Sequence, residues 1–381
     1  MQYTEYELGE LLPFEQPTAY IVKSTDYSDA YATPVLTAGK SFILGKTNET
    51  DGIFDQLPVI IFDDFTTATQ FVNFRFKVKS SAMKILHINT DLVIPKYIFY
   101  RLQIIQFDHS THKRYWIQSY SKIKVLIPPL DEQFRIVARI EELFSELDKA
   151  VDTLKTTKEQ LEVYRQAVMK DAFQKKESII RLGDAIEKPR YGTSKKCDYP
   201  CTANSTAVLR IPNIDTKNGR VDSSDLKYAE FNEKELEQLS LKNGDILIIR
   251  SNGSISLVGS SAIIRKCDTD KTYAGYLMRL RILNKEKLLP QYLLYYLSSP
   301  DARRYIESVA KSTSGVNNIN SQEISKLCVP LSSIEKQEKT VAEIEMKLSV
   351  YHEIEKSVDT VLVQADAMRQ SILKQAFEGA L

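Results

Sequence analysis

The stretch Gln133–Phe173, QFRIVARIEELFSELDKAVDTLKTTKEQLEVYRQAVMKDAF, decides the fold because it occurs twice. Moved by 204 positions it falls on Gln337–Phe377, QEKTVAEIEMKLSVYHEIEKSVDTVLVQADAMRQSILKQAF, without a gap. The 41 aligned positions hold 13 identities, among them Val137-Ala138 with Val341-Ala342 and Ala172-Phe173 with Ala376-Phe377. A repeat of this kind divides the chain into two similar halves.

The repeated stretch has a heptad rhythm. Apolar side chains fall at Ile136, Ile140, Leu143, Leu147, Leu154 and Leu161 in the first copy. In the second they fall at Ile344, Tyr351, Ile354, Val358, Val361, Met368 and Ile372. Spacings of three and four place such residues on one stripe of a helix. At about 1.5 Å per residue, such a helix is roughly 60 Å long, too long to bury its stripe inside one small domain. Two matched seams in one chain favour each other, since tethering raises their effective concentration. The alternative is two separate homo-oligomeric coiled coils.

The segments before each helix also correspond. Leu8-Gly9-Glu10 is echoed by Leu182-Gly183-Asp184, and the buried-strand run Val59–Phe62 by Asp245–Ile249. Phe74, Phe76 and Val78 alternate with Arg75, Lys77 and Lys79, as Leu280 and Ile282 do with Arg279 and Arg281, the pattern of half-buried strands. Helices are expected at Pro95–Leu102 and Pro290–Leu297, each with Pro at its start. The expected class is α+β. Two similar globular α/β domains, 1–130 and 178–330, alternate with long helices at 131–177 and 331–381. Connectivity favours an antiparallel coiled coil with a pseudo-two-fold internal repeat. The domains would then stand at most roughly 60 Å apart.

Composition is that of a globular protein, 43% hydrophobic and 27% charged. No apolar run reaches the roughly 20 residues of a membrane span, so no membrane association is expected. The first residues lack the basic flank and apolar core of a signal peptide, and four cysteines at uneven spacing suit reduced thiols. A cytoplasmic location is expected. The net charge of +1 is unevenly spread: zero over 1–130, −2 over 131–177, +6 over 178–330 and −3 over 331–381. A polyanion would be held by the globular segments, not along the helices.

Catalytic signatures are weak. Gly39-Lys40-Ser41 and Gly45-Lys46-Thr47 lack the upstream glycine of a phosphate-binding loop. His109 and His112 lie near Asp108, but Lys113, Arg114 and Tyr115 beside them suit phosphate or base contact better. No metal-ligand set and no Asn/Asp-Pro-Pro-aromatic motif for a target amine is present. The chain reads as non-catalytic. The loops do carry the side chains that read nucleic acid, since Arg and Lys donate to phosphates and guanine edges, and Asn and Gln pair with adenine. The candidates in the first domain are Lys40, Thr66, Thr67, Thr69, Gln70, His109, Thr111, His112, Lys113 and Arg114. In the second they are Arg190, Tyr191, Thr193, Ser194, Lys195, Lys196, Arg250, Ser251, Asn252 and Ser254, then Lys311, Ser312, Thr313, Asn317 and Asn318. Two of these loop positions recur in both halves with different residues, which suits two readers of two different sequences.

The order of these motifs resembles the specificity subunits of type I restriction-modification systems. The residues that carry the resemblance are Leu182-Gly183-Asp184, the helix from Pro290, Ser312–Gly315 leading to Ile319-Asn320, Val329-Pro330-Leu331, Glu335-Lys336-Gln337 and Val341–Ile344. The first half repeats them at Ile127–Leu130, Glu132-Gln133 and Val137–Ile140. The resemblance implies two target-recognition domains that bind a bipartite, asymmetric double-stranded DNA site. It implies helices that set the spacer and dock two methyltransferase subunits, with restriction subunits in the full complex. It places S-adenosylmethionine, ATP and Mg on those partners and no cofactor in this chain. The competing readings are a bivalent protein-binding scaffold that touches no DNA, and a nucleic-acid enzyme centred on the His109 loop.

Overall fold

A computed structural model describes residues 3–37, 41–108, 114–174, 177–199, 202, 204–313 and 315–379. The chain divides into two compact units, Met1–Lys155 with Asp359–Leu381, and Thr156–Val358. Among the described residues, no helix is long and apolar enough to cross a membrane.

The apolar run Val59–Phe62 forms the centre of a four-stranded antiparallel sheet in the first unit. The order is Phe14–Glu15, Met83–His87, Val59–Asp63 and Thr69–Val72. Successive strand residues point to opposite faces, and both faces are covered. Ile60 and Phe62 enter a core with Ile136 and Ile140 of the first long helix, while Val59 and Ile61 enter another with Leu36 and Phe76. The second unit has the same plan, with Arg190–Tyr191, Leu277–Leu280, Ile246–Ile249 and Ser261–Ile263 in that order. Ile246 and Ile248 face a core with Val168 and Ile344, and Leu247 and Ile249 face one with Leu209 and Tyr273. Burial on both sides is why these runs are continuously apolar.

In each unit a strand at the start pairs antiparallel with the strand that leads into a long helix. Thr4–Glu7 pairs with Lys124–Ile127, and Ser178–Arg181 with Cys328–Leu331. The echoed Leu-Gly follows at once. Leu8 N–H donates to Ile123 O and Leu182 N–H to Leu327 O, at 3.0 and 2.8 Å. A Cβ at Gly183 would lie 2.9 Å from Ser325 Cβ and 3.1 Å from its carbonyl oxygen, so glycine permits this close approach.

The long helices are Leu130–Ala172 and Ile334–Phe377. Within the first unit, Ile136, Val137 and Ile140 are buried with Leu373 and Ala376, and Arg369 stacks 4.9 Å above the Phe144 ring. Within the second, Val168, Met169 and Phe173 are buried with Ile344 and Leu348. The start of one helix therefore meets the end of the other in both units, an antiparallel pairing.

Ile136, Ile140, Leu147, Leu161, Ile344, Tyr351 and Val358 are buried in this pairing, and Leu143, Leu154 and Ile372 are half-buried. Ile354, Val361 and Met368 depart from expectation, being 41%, 44% and 54% exposed. The seam continues four residues after Tyr351, Val358 and Ala365, not three. Those places hold Glu355, Leu362 and Arg369. Charged residues there conceal the register. Glu355 is buried because Lys217 neutralises it at 2.5 Å and the Tyr351 hydroxyl donates to it at 3.2 Å.

Strand alternation also fails where cations are buried. Lys77 was expected to face outward but is buried against Glu49 at 3.1 Å. Arg279 is buried and donates to Ser240 O at 2.6 Å, and Arg281 forms an ion pair of 2.7 Å with Asp245. A buried cation is tolerated only where such partners exist. Tyr115 and Trp116, expected in a loop, begin a short helix and are buried.

The first residue of the repeat has the same task in both units. Gln133 is fully buried. Its Oε1 accepts from Ile94 N–H at 2.8 Å, and its Nε2 donates to Leu92 O and Pro128 O at 3.1 and 2.9 Å. Gln337 repeats this with Leu289 N–H, Lys287 O and Ser332 O at 2.9, 2.8 and 2.9 Å. Replacing Gln133 by Leu strands three backbone groups and is expected to destabilise the first unit by on the order of 3 kcal/mol. Denaturant unfolding with site-resolved hydrogen exchange measures this. A loss below about 0.5 kcal/mol would mean that the three groups find other partners.

Candidate nucleic-acid interface

The second unit gathers its candidate loops at one end of the central sheet. Arg190–Tyr191 is the edge strand next to Leu277–Leu280. Beyond it Thr193 N–H donates to Tyr273 O and the Thr193 carbonyl accepts from Gly275 N–H, which brings the segment against the Ala274–Tyr276 turn. A Cβ at Gly192 would lie 2.2 Å from Tyr273 O, so only glycine passes here. Arg250 follows the central strand. Its N–H donates to Tyr276 O at 2.9 Å and its Nη1 to Gly275 O at 3.2 Å. The guanidinium lies 4.5 Å from the Tyr191 ring centroid, a cation–π arrangement. The Tyr191 hydroxyl accepts from Ser321 N–H at 2.8 Å, which fixes the platform.

Ser251 and Asn252 continue from Arg250 and pair with Asn318 and Asn317 of the Val316–Asn318 strand, which pairs with Lys311–Thr313. The expected Lys311–Asn318 loop is thus a β-hairpin. Asn317 Nδ2 donates to Gly253 O at 2.9 Å, and Asn252 Oδ1 accepts from Ser254 N–H at 2.8 Å. Ser251 is buried. Tyr191, Arg250, Asn252, Ser254 and Asn317 therefore share one surface, and Thr193 borders it.

Other candidates are engaged elsewhere. Lys195 pairs with Glu235 at 2.7 Å, donates to Glu230 O and lies over Phe231. The Lys195 ammonium holds the Glu235 carboxyl below its usual range. Arg190 donates to Gln238 at 2.6 Å, and Lys196 pairs with Asp198 at 3.2 Å. Ser194 is exposed. Tyr276, 61% exposed at the turn that anchors Arg250, was missed by the sequence reading. Its signal is the preceding Gly275, which marks a close backbone turn.

In the first unit, Lys40, His109, Thr111, His112 and Lys113 lie outside the described residues. Thr66 and Thr67 occupy a tight turn after the central strand, with Phe65 and Thr66 N–H donating to Asp63 Oδ1. Thr67 takes a positive φ of 56°. Thr69 and Gln70 begin the next strand, and Gln103 Nε2 donates to Thr69 Oγ1. Arg114 is exposed. Asp64 stands where Arg250 stands in the other half, but it is turned inward. It is buried 3.2 Å from the equally buried Lys84. Its Oδ1 accepts from Trp116 N–H at 2.8 Å and its carbonyl from Tyr115 N–H at 2.9 Å. One carboxylate thus joins the turn to the segment that starts at Arg114.

Among the described residues, no group of three or more His, Cys, Asp or Glu is placed to hold a metal. The arrangement offers contact chemistry: a cation stacked on an aromatic ring, amides and hydroxyls. Asp64→Ala leaves Lys84 buried and unpaired, and is expected to destabilise the first unit by about 3–5 kcal/mol. Adding Lys84→Met is expected to recover most of that loss. Equal unfolding midpoints for the single and double variants would contradict a pair that matters through its charge.

No family model matches the chain. It is 34% identical over 360 residues to the EcoR124I/EcoR124II type I restriction enzyme specificity subunit of Escherichia coli, covering 88% of this chain and 84% of that one. It is 29% identical over 278 residues to the EcoKI specificity subunit of Escherichia coli K12, covering 69% of this chain and 59% of that one. A chain in a solved structure of a type I R-M system, described for its complex assembly and conformational transition, aligns with a TM-score of 0.71 at 16% identity. That alignment covers 100% of this chain and 98% of the other. The HsdS subunit from Thermoanaerobacter tengcongensis aligns with a TM-score of 0.53 at 15% identity, covering 100% and 97%. The solved structures share the fold, and the extent of the first relative carries the conclusion: the chain belongs to the specificity subunits of type I restriction-modification systems.

Proposed function

We propose that the globular domains, residues 1–130 and 178–330, each read one half of a bipartite, asymmetric double-stranded DNA site. The long helices set the distance between the halves and dock two methyltransferase subunits, with restriction subunits joining the full complex. S-adenosylmethionine, ATP and Mg belong to those partners, and the complex works in the cytoplasm. The observation that carries this reading is a duplicated framework with unlike loops. Both units share strand order and the buried glutamine, yet one presents Arg250 over Tyr191 where the other turns Asp64 inward. Two readers that differ in this way suit a site without palindromic symmetry. The apolar residues left exposed on the helices, Val163, Met346, Val350, Ile354, Val361, Val363 and Met368, supply contact area for protein partners.

Salt-dependent binding to duplex DNA tests the first part. A slope of log K against log salt near zero would leave the protein-scaffold reading in its place. Arg250→Ala or Asn252→Ala is expected to relax one half-site by roughly 1–3 kcal/mol and leave the other unchanged. Equal weakening of both half-sites would contradict two independent readers. Removing one heptad from both helices is expected to shorten the preferred spacer, as measured by methylation of sites with graded spacers. An unchanged preference would remove the helices from that role.

A further inference from the structure

The two helix copies keep one arginine but surround it with different charges, and the difference opens a site. In the first unit Arg369 pairs with Asp148 and lies over Phe144, and Lys96 beside it pairs with Glu141. The repeat sets Arg165 on Arg369 and Glu345 on Glu141, but His352 on Asp148 and Gln291 on Lys96. The second unit thus keeps the arginine and loses its carboxylate. Arg165 instead reaches Glu162 and the carbonyl of Lys217, both at 3.3 Å, and its buried Nε finds no hydrogen-bond partner among the described residues.

These residues border a cleft of about 740 Å³ inside the second unit. Arg220 also lines it, exposed and without an ion pair among the described residues. The floor is apolar, with Met169, Leu294 and Leu348. Lys217 and Arg265 also line it but are paired with Glu355 and Asp268, and Glu345 and Glu353 in the lining oppose a run of phosphates more than a single carboxylate. Met346 and Val350 are exposed on the same stretch of helix and suit the apolar neighbours of an acidic residue in a protein segment.

We propose that this cleft takes an Asp or Glu side chain from a protein partner, which supplies at Arg165 and Arg220 the carboxylate that Asp148 supplies within the first unit. Naming the methyltransferase subunit as that partner rests on the reading in the preceding section. The full chain and purified methyltransferase subunit test it by calorimetry. Arg220→Glu is expected to weaken association roughly tenfold or more. His352→Asp, which places a carboxylate inside the cleft, is expected to weaken it as well. Lys96→Gln in the first unit leaves it near the wild-type value. In the Arg220→Lys variant, carbodiimide is expected to join the introduced amine to a partner carboxylate, identified by peptide mapping. Wild-type affinity in both Arg220→Glu and His352→Asp, with salt-dependent DNA binding intact, would overturn the cleft assignment alone. A chain that takes up neither methyltransferase subunit nor DNA would overturn the functional reading and this inference with it.

Discussion

The buried amides of Gln133 and Gln337 are the constraint on which each half depends. Both long helices start after irregular backbone that must be buried beneath them, and buried carbonyls and N–H groups require partners. One side chain with an acceptor and two donors satisfies three such groups in each half. A carboxylate could not donate to the two carbonyls, and an apolar residue would satisfy none of the groups. The amide therefore sets where the helix begins relative to the short helix from Pro95 or Pro290. From that junction the helix carries Ile136 and Ile140, or Ile344 and Leu348, into the core beneath the central sheet.

The repeat made most of the architecture legible. Its length called for helices, and its apolar stripe called for a partner of similar length. The continuous apolar runs marked the central strands because those strands are covered on both faces. Failures cluster where polar groups are buried in pairs. Glu355 and Arg369 occupy seam positions and hide the register, while Ile354, Val361 and Met368 suggest a seam they do not form. Lys77, Lys84 and Arg279 resemble outward-facing strand residues until Glu49, Asp64 and the Ser240 carbonyl are brought to them. A one-dimensional pattern records polarity, and these partners are distant in the chain.

The candidate interface was legible as a set of segments but not as a surface. Arg250, Asn252 and Tyr191 could be named from their types, yet their convergence depends on the turn at Gly275 and on backbone pairing across sequence gaps of more than 60 residues. Lys195 and Arg190 look equally suitable in sequence, but they are held by Glu235 and Gln238. Exposure and pairing separate a cation that can meet a ligand from one that organises its own loop.

The pairing of Thr4–Glu7 with Lys124–Ile127, and of Ser178–Arg181 with Cys328–Leu331, has a consequence for how such chains change over generations. Each globular region begins and ends on paired strands, the second of which leads into a long helix. The loops between those two strands can be exchanged by recombination while the glutamine, the backbone it holds and the helices stay as they are. On the proposed reading of the two globular regions, new specificity is then inherited as a cassette, without waiting for point changes in each loop residue.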